Sequence, residues 1–126
     1  MRVLLDAPAL LGVLFASFPI GPHARAAIVA PANAVFVSPV SAYEIEWKRA
    51  NGKLRMPSIP DWETALITRG YLVAGLTITH FVEAATLPRH HRDPWDRLLV
   101  AQAKADGFVI ASPDAMLPAY GVATLW

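Results

Sequence analysis

The chain has 126 residues, no cysteine and nearly balanced charge, with 11 Lys and Arg against 10 Asp and Glu. Apolar residues make up 55% of it and charged residues 17%, so it can bury enough surface to offset its ordering entropy and is not expected to be disordered. A chain of this mass buries roughly two-thirds of its unfolded surface, which suffices for one core and excludes a multidomain machine. The near-zero net charge argues against a protein held on nucleic acid by bulk charge alone. We therefore expect residues 1–126 to form a single domain.

The longest uncharged apolar run covers residues 7–20, shorter than the roughly 18 residues that a membrane span needs, and prolines and a glycine interrupt it. Asp6 stands where a signal peptide would need an apolar residue. The lack of cysteine fits a reducing compartment. We therefore expect a cytoplasmic protein with no membrane partner.

Short β-type runs alternate with longer helical patterns along the chain, which is typical of βαβ units around a mainly parallel sheet. Strands are expected at residues 2–5, 35–37, 76–78, 108–111 and 122–125, each too apolar to leave one face in water. Helices are expected at residues 8–17, 23–30, 39–51, 61–70, 79–87 and 94–106, with a short helical turn near 114–120 and a loop at 52–61. Ser38, Thr79 and Asp93 are placed to cap helices. The pattern predicts an α/β fold with about five strands.

Acidic side chains recur where the predicted strands turn into helices. Asp6 follows the first strand, Asp93 and Asp96 open the helix before the fourth, and Asp114 follows the fourth. The ends of parallel strands line one crevice, where ligands bind, so Asp6 and Asp114 should both face it.

Glu44 adds a fifth carboxylate, in the helix after the second strand. Val40, Tyr43 and Trp47 predict the buried stripe of that helix, and Glu44 falls on this stripe. A carboxylate on a core-facing stripe needs a partner.

Crowded carboxylates repel one another, by about 3 kcal/mol for two at about 5 Å and an effective dielectric near 20. They tolerate this by taking up protons or by binding cations. Because cysteine is absent and the histidines are not expected among these positions, the ligand set would be rich in oxygen, which suits Mg²⁺ or Mn²⁺ rather than zinc. The chemistry best supported is attack on a phosphodiester by a metal-activated water.

Each acidic residue also has a purely structural interpretation. Asp93, Asp96 and Asp114 are placed to cap helices or to favour a helix dipole, and Asp6 could serve in a turn. Glu44 could pair with Lys48, one turn later. The recurrence of carboxylates at strand ends is therefore more informative than any one of them.

Four segments, taken in order and with their spacing, resemble PIN-domain endoribonucleases of the VapC toxin type over nearly the whole chain. The segments are Leu4-Leu5-Asp6, Val37-Ser38-Pro39-Val40-Ser41-Ala42-Tyr43-Glu44-Ile45, His90-His91-Arg92-Asp93-Pro94-Trp95-Asp96-Arg97-Leu98-Leu99-Val100-Ala101-Gln102-Ala103 and Ser112-Pro113-Asp114. The segment from residue 91 to residue 103 is the most specific of the four.

The resemblance implies a three-layer α/β/α sandwich and RNA cleavage that depends on Mg²⁺ or Mn²⁺, by a toxin that a small cognate antitoxin silences. Carried over by position, Asp6, Glu44, Asp96 and Asp114 would be the catalytic, metal-binding quartet, with Asp93 as an accessory acidic residue. Ser112 stands where the family often has a hydroxyl near the site. The excess of apolar residues would fit a homodimer clasped by the antitoxin.

The chain departs from the family's pattern after the first aspartate, where Ala7 and Pro8 replace the usual Thr and frequent His. This departure supports an alternative function, a catalytically weakened module that binds RNA or a peptide. A third hypothesis, from topology alone, makes Asp6 a phosphoryl acceptor. Haloacid-dehalogenase-like phosphatases need a second aspartate two residues after the acceptor, where this chain has Pro8. Response-regulator receivers need a lysine late in the chain near the acidic pocket, and the only lysine after residue 55 is Lys104, within a predicted helix. Both observations count against this third hypothesis.

Basic residues cluster in two segments, and either segment could hold RNA phosphates or be no more than a solvated face. The first consists of Lys48, Arg49, Lys53 and Arg55, and the second of Arg89, His90, His91 and Arg92. The adjacent histidines have no Cys or third His at a zinc-ligand spacing, so no metal role is expected for them.

Overall fold

Five short strands form one all-parallel sheet in the order β3-β2-β1-β4-β5 in this computed structural model, which describes residues 1–126. The strands are Arg2–Leu5 (β1), Ala34–Val37 (β2), Leu72–Val73 (β3), Val109–Ala111 (β4) and Thr124–Leu125 (β5). Leu5 pairs with Val37 on one side and with Ala111 on the other. The residues after these strand ends therefore lie at one edge of the sheet.

Six α-helices and one 3₁₀ turn connect the strands. The helices are Ala7–Leu14 (α1), Pro22–Val29 (α2), Pro39–Ala50 (α3), Trp62–Ile67 (α4), Ile78–Thr86 (α5) and Pro94–Asp106 (α6), and the 3₁₀ turn is Leu117–Tyr120. Side chains cap the entries of α3 and α6 as predicted, since Ser38 accepts from the Val40 N–H and Asp93 from the Trp95 N–H. None of the six helices combines the length and the hydrophobicity that a membrane-spanning helix needs.

Alternation along β1 divides the interior into two cores, one on each face of the sheet. Val3 and Leu5 belong to the core with α1 and α2, whereas Leu4 belongs to the core with α6 and the 3₁₀ turn. All three side chains are fully buried. The predicted three-layer α/β/α sandwich is confirmed, because both faces of the sheet carry an apolar layer.

The third predicted strand, at residues 76–78, is wrong. Thr77 instead caps α5, its hydroxyl and backbone N–H both facing Nδ1 of His80, so Ile78 is helical rather than extended. The predicted cap at Thr79 is wrong for the same reason. The strand that completes the sheet is Leu72–Val73, a two-residue edge strand whose side chains are both more than half exposed. The expectation that every strand is covered on both faces therefore fails at this edge.

Candidate active site

Five carboxylates line one cleft of about 250 Å³ at the carboxyl edge of the sheet. The carboxylates are those of Asp6, Glu44, Asp93, Asp96 and Asp114, and Lys48 lines the same cleft. β1 and β4 lie side by side, and the chain leaves them for opposite flanks of the sheet, which is the switch-point position where α/β proteins bind ligands. The sheet thus brings together all five acidic residues singled out from the sequence.

Asp6 is the most enclosed of these carboxylates. It directly follows β1 and caps α1, accepting a hydrogen bond of 2.9 Å from the Ala9 N–H at Oδ1, and the residue is only 6% exposed. Burial raises its pKa to about 7, against the lowering effects of the Ser112 hydroxyl and the Ala9 N–H. The same side chain therefore both caps α1 and lines the cleft.

Asp93 and Asp96 enter the cleft from the first turn of α6. Asp93 accepts a hydrogen bond of 2.9 Å from the Trp95 N–H, so the predicted capping role is confirmed for this residue. Asp96 makes no such bond. Burial raises its pKa to about 6, and the neighbouring charges of Asp93 and Glu44 act in the same direction. A carboxyl whose pKa is raised by burial and by neighbouring carboxylates is stabilised in its ionised form by a cation.

Glu44 reaches the cleft from α3, where it forms an ion pair of 2.6 Å between Oε2 and Nζ of Lys48. The predicted i,i+4 pair is thus present. Burial lowers the pKa of the ammonium, but the hydrogen bond to Glu44 and the cleft carboxylates outweigh it, so the net shift is upward and Lys48 stays charged.

The predicted buried stripe of α3 is wrong in part. Val40 is buried, but Tyr43 is 61% exposed and Trp47 is 37% exposed, and the buried face runs instead through Ser41 and Ile45. Glu44 stands at the border of that face with its side chain 12% exposed. The helical spacing places Tyr43 and Trp47 on one apolar face of α3, but this face lies at the protein surface beside the cleft and does not pack into the core.

Asp114 is held from outside the cleft by His91. Nε2 of His91 lies 2.6 Å from Oδ2 of Asp114, while Nδ1 lies 2.8 Å from the hydroxyl of Tyr120, whose ring stacks on the imidazole. Asp114 also caps the following turn through the Met116 N–H. The carboxylate is therefore fixed on two sides.

The expectation that the histidines lie away from the acidic set is wrong for His91. Potential ligand atoms of His91, Asp96 and Asp114 all lie within 4.8 Å of one another. No local pattern predicts this contact, because 23 residues separate His91 from Asp114 and the two side chains meet only in the folded chain. The one hint in the sequence is that His91 stands two residues before Asp93, which caps α6.

The residues of the cleft fit a divalent cation. Carboxylate oxygens from four different parts of the chain converge there, and burial and mutual repulsion hold the pKa values of Asp6 and Asp96 well above 3.8. Such a set prefers hard cations of the Mg²⁺ and Mn²⁺ type, and one imidazole nitrogen is tolerated better by Mn²⁺. Ala7 and Pro8 also line the cleft and offer no side-chain ligand.

Comparison with known proteins agrees with this architecture. The structure is similar to VapBC2 from Rickettsia felis bound to a DNA fragment from their promoter, with a TM-score of 0.70 and 10% identity over 100% of this chain and 99% of that one. It is also similar to FitAcB from Neisseria gonorrhoeae, with a TM-score of 0.62 and 14% identity over 98% and 96% of the two chains. FitAB bound to an IR36 DNA fragment gives a TM-score of 0.65 and 15% identity over 98% and 93%.

Similarity at these identities shows a shared fold. No curated protein sequence matches the chain significantly. The family model of the PIN domain matches residues 3–122, nearly the whole chain and the entire acidic cleft. The chain therefore belongs to the PIN domain family.

Proposed function

We propose that this protein is a Mg²⁺- or Mn²⁺-dependent endoribonuclease and the toxin of a toxin–antitoxin pair. The observation that carries the proposal is the convergence of Asp6, Glu44, Asp96 and Asp114 in one cleft at the switch point of a PIN-domain sheet. A divalent cation bound there would activate a water for attack on an RNA phosphodiester and stabilise charge on the attacking and leaving oxygens.

The residues of the chain have separate parts in this proposal. Asp6 and Asp96, whose pKa values are raised by burial, release their protons when a cation arrives and are the ligands that gain most from it. His91 orients the carboxylate of Asp114, since it bridges that group to the Tyr120 hydroxyl. Lys48 is a fixed positive charge in the cleft and attracts the phosphate of the substrate. Asp93 caps α6 and adds negative charge as an accessory residue.

An antitoxin partner is supported by the apolar surface beside the cleft. A groove of about 300 Å³ is lined by aromatic and apolar side chains of α3 and α6, namely Val40, Tyr43, Trp47, Pro94, Trp95 and Leu98. Half-exposed aromatic rings are common anchors of protein interfaces. The solved complexes VapBC2 and FitAB share the fold, which is a further reason to propose a small cognate partner here.

Self-association is proposed on a separate surface. On α5, Ile78 is 83% exposed and Val82 61% exposed, and Phe81 beside them is also more than half exposed. Burial of such side chains in a homodimer would remove them from water. Sedimentation of the purified chain should show a dimer, and a stable monomer at micromolar concentration would contradict this part of the proposal.

The test of the nuclease uses protein free of any partner. We expect cleavage of single-stranded RNA in Mg²⁺ or Mn²⁺, loss of cleavage in EDTA, and loss of both cleavage and growth toxicity in Asp96→Asn. Glu46→Gln is the matched control, because Glu46 lies on α3 but outside the cleft and pairs with Arg49. Absence of Mg²⁺ binding beside intact RNA affinity would favour the alternative of a catalytically weakened binding module, which Ala7 and Pro8 support.

A further inference from the structure

A second concave surface lies next to the acidic cleft and carries the opposite charge. This surface, the basic depression, has a volume of about 700 Å³ and is lined by Ala85, Arg89, His90, His91, Arg92 and Arg97. No acidic residue lines it. Its volume falls in the range of sites that take small molecules or single nucleotide units.

Arg97 has a structural role in the depression, because its guanidinium is already hydrogen-bonded within the chain. Its guanidinium donates to three backbone carbonyls, those of Ala84 and Leu87 at 2.8 Å and that of Pro88 at 2.9 Å. These bonds tie the end of α5 and the following loop to α6. The loop that carries residues 89–92 is therefore anchored at its start.

Arg89 and Arg92 differ from Arg97, because neither guanidinium forms an ion pair or a hydrogen bond with the rest of the chain. Both residues are exposed. Two like charges that share one concave surface repel each other, and an anion between them removes that repulsion. Guanidinium groups bind phosphate oxygens in a bidentate manner, which makes a phosphate the anion that this pair fits best.

The basic depression and the acidic cleft share a wall. The imidazole of His91 lines the depression, and its Nε2 lies 2.6 Å from Oδ2 of Asp114, which lines the cleft. Arg92 lines the depression, and the next residue, Asp93, lines the cleft. A chain of phosphates that passes through the cleft would therefore reach the depression with its neighbouring units.

We propose that the basic depression is a subsite for the backbone phosphates of single-stranded RNA, adjacent to the bond that is cut, with Arg89 and Arg92 as its phosphate-binding side chains. The inference rests on the proposed nuclease function and adds the place where the flanking part of the substrate is held. Contacts to phosphates carry no sequence information, so this subsite sets register and affinity rather than base preference.

The test measures RNA binding by fluorescence anisotropy of a labelled oligouridylate in Mg²⁺, in the Asp96→Asn background, over a range of KCl concentrations. Each lost phosphate contact reduces the slope of log Kd against log salt by about 0.7 for single strands. Arg89→Ala combined with Arg92→Ala should therefore flatten the slope by about 1.4 and weaken binding about 25-fold at about 0.1 M salt. The control, Arg25→Ala with Arg69→Ala, removes the same charge from exposed positions that line neither surface.

The outcomes separate the subsite from the nuclease. A larger loss of slope in the Arg89 and Arg92 variant than in the control, at unchanged melting temperature, supports the subsite even if the unmodified chain cuts no RNA. Equal losses in the two variants, or no loss in either, overturn the subsite even if cleavage is observed. Displacement of the RNA by polyglutamate at equal charge concentration overturns the assignment to RNA phosphates in favour of an acidic peptide.

Discussion

Asp6→Asn should make the metal-free protein more stable, and the gain should increase with pH. The carboxyl of Asp6 is buried, and its pKa rises from 3.8 to about 7 on folding. Below pH 3.8 the group is protonated in both the folded and the unfolded chain and does not lower the unfolding free energy. Between pH 3.8 and about 7 the unfolded chain releases this proton while the folded chain keeps it, so the unfolding free energy falls as the pH rises. Above about 7 both states are ionised and the full loss of stability has been reached.

The magnitude follows from the two pKa values. Their difference corresponds to about 4 kcal/mol of unfolding free energy at pH well above 7, and to less at pH 5, where the folded chain still holds the proton. The advantage of Asp6→Asn over the unmodified chain should therefore be about 3 kcal/mol larger at pH 8 than at pH 5. The amide oxygen can still accept the Ala9 N–H at the start of α1, so the cap itself is kept.

Urea denaturation in EDTA, followed by circular dichroism at pH 5 and at pH 8, measures this difference. Asp61→Asn is the matched control, since Asp61 caps α4 but is exposed and its pKa is lowered by hydrogen bonds from Thr64. That variant should be less stable than the unmodified chain by the same amount at pH 5 and at pH 8, because Asp61 is ionised in both the folded and the unfolded chain at these two pH values. Added Mg²⁺ should stabilise the unmodified chain and not Asp6→Asn. An effect of Asp6→Asn on the unfolding free energy that is equal at both pH values would contradict a raised pKa of this buried carboxyl.

Three further substitutions test the surroundings of the cleft. Lys48→Met should tighten Mg²⁺ binding several-fold in titration calorimetry, because it removes a competing positive charge, while Arg49→Met, whose ion pair lies outside the cleft, should not. His91→Asn should weaken Mn²⁺ binding by about 10- to 100-fold through loss of an orienting hydrogen bond, and His90→Asn should leave it unchanged. Arg97→Lys should lower the unfolding free energy by about 2 kcal/mol in urea denaturation, because an ammonium cannot serve three carbonyls in a fixed fork. Unchanged Mg²⁺ binding in Lys48→Met, unchanged Mn²⁺ binding in His91→Asn, or an unchanged unfolding free energy in Arg97→Lys would contradict the corresponding role.

The positions of Asp6 and Asp114 could be predicted because they depend on a general property of parallel sheets. β1 and β4 are short, apolar runs that end in register, so the residues that follow them share one edge whatever the rest of the fold does. Asp93 and Asp96 were predictable for a similar reason, since a proline at the first helical position fixes where α6 begins.

Other features depend on contacts that local patterns do not contain. The edge strand Leu72–Val73 has two residues, too few for any alternation to appear, whereas the apolar run after it ends in a helix because Thr77 and His80 close a capping box. Helical spacing groups Tyr43 with Trp47 but does not tell a buried stripe from an exposed one.

RNA cleavage in ¹⁸O-labelled water shows whether the acidic cleft, with a divalent cation, uses water to hydrolyse the phosphodiester. We expect partner-free protein in Mg²⁺ to yield RNA fragments whose new terminal phosphate carries one ¹⁸O from the solvent, and Asp96→Asn to yield none. Fragments that end in a 2′,3′-cyclic phosphate without the label, or undiminished cleavage by Asp96→Asn in EDTA, would contradict this expectation.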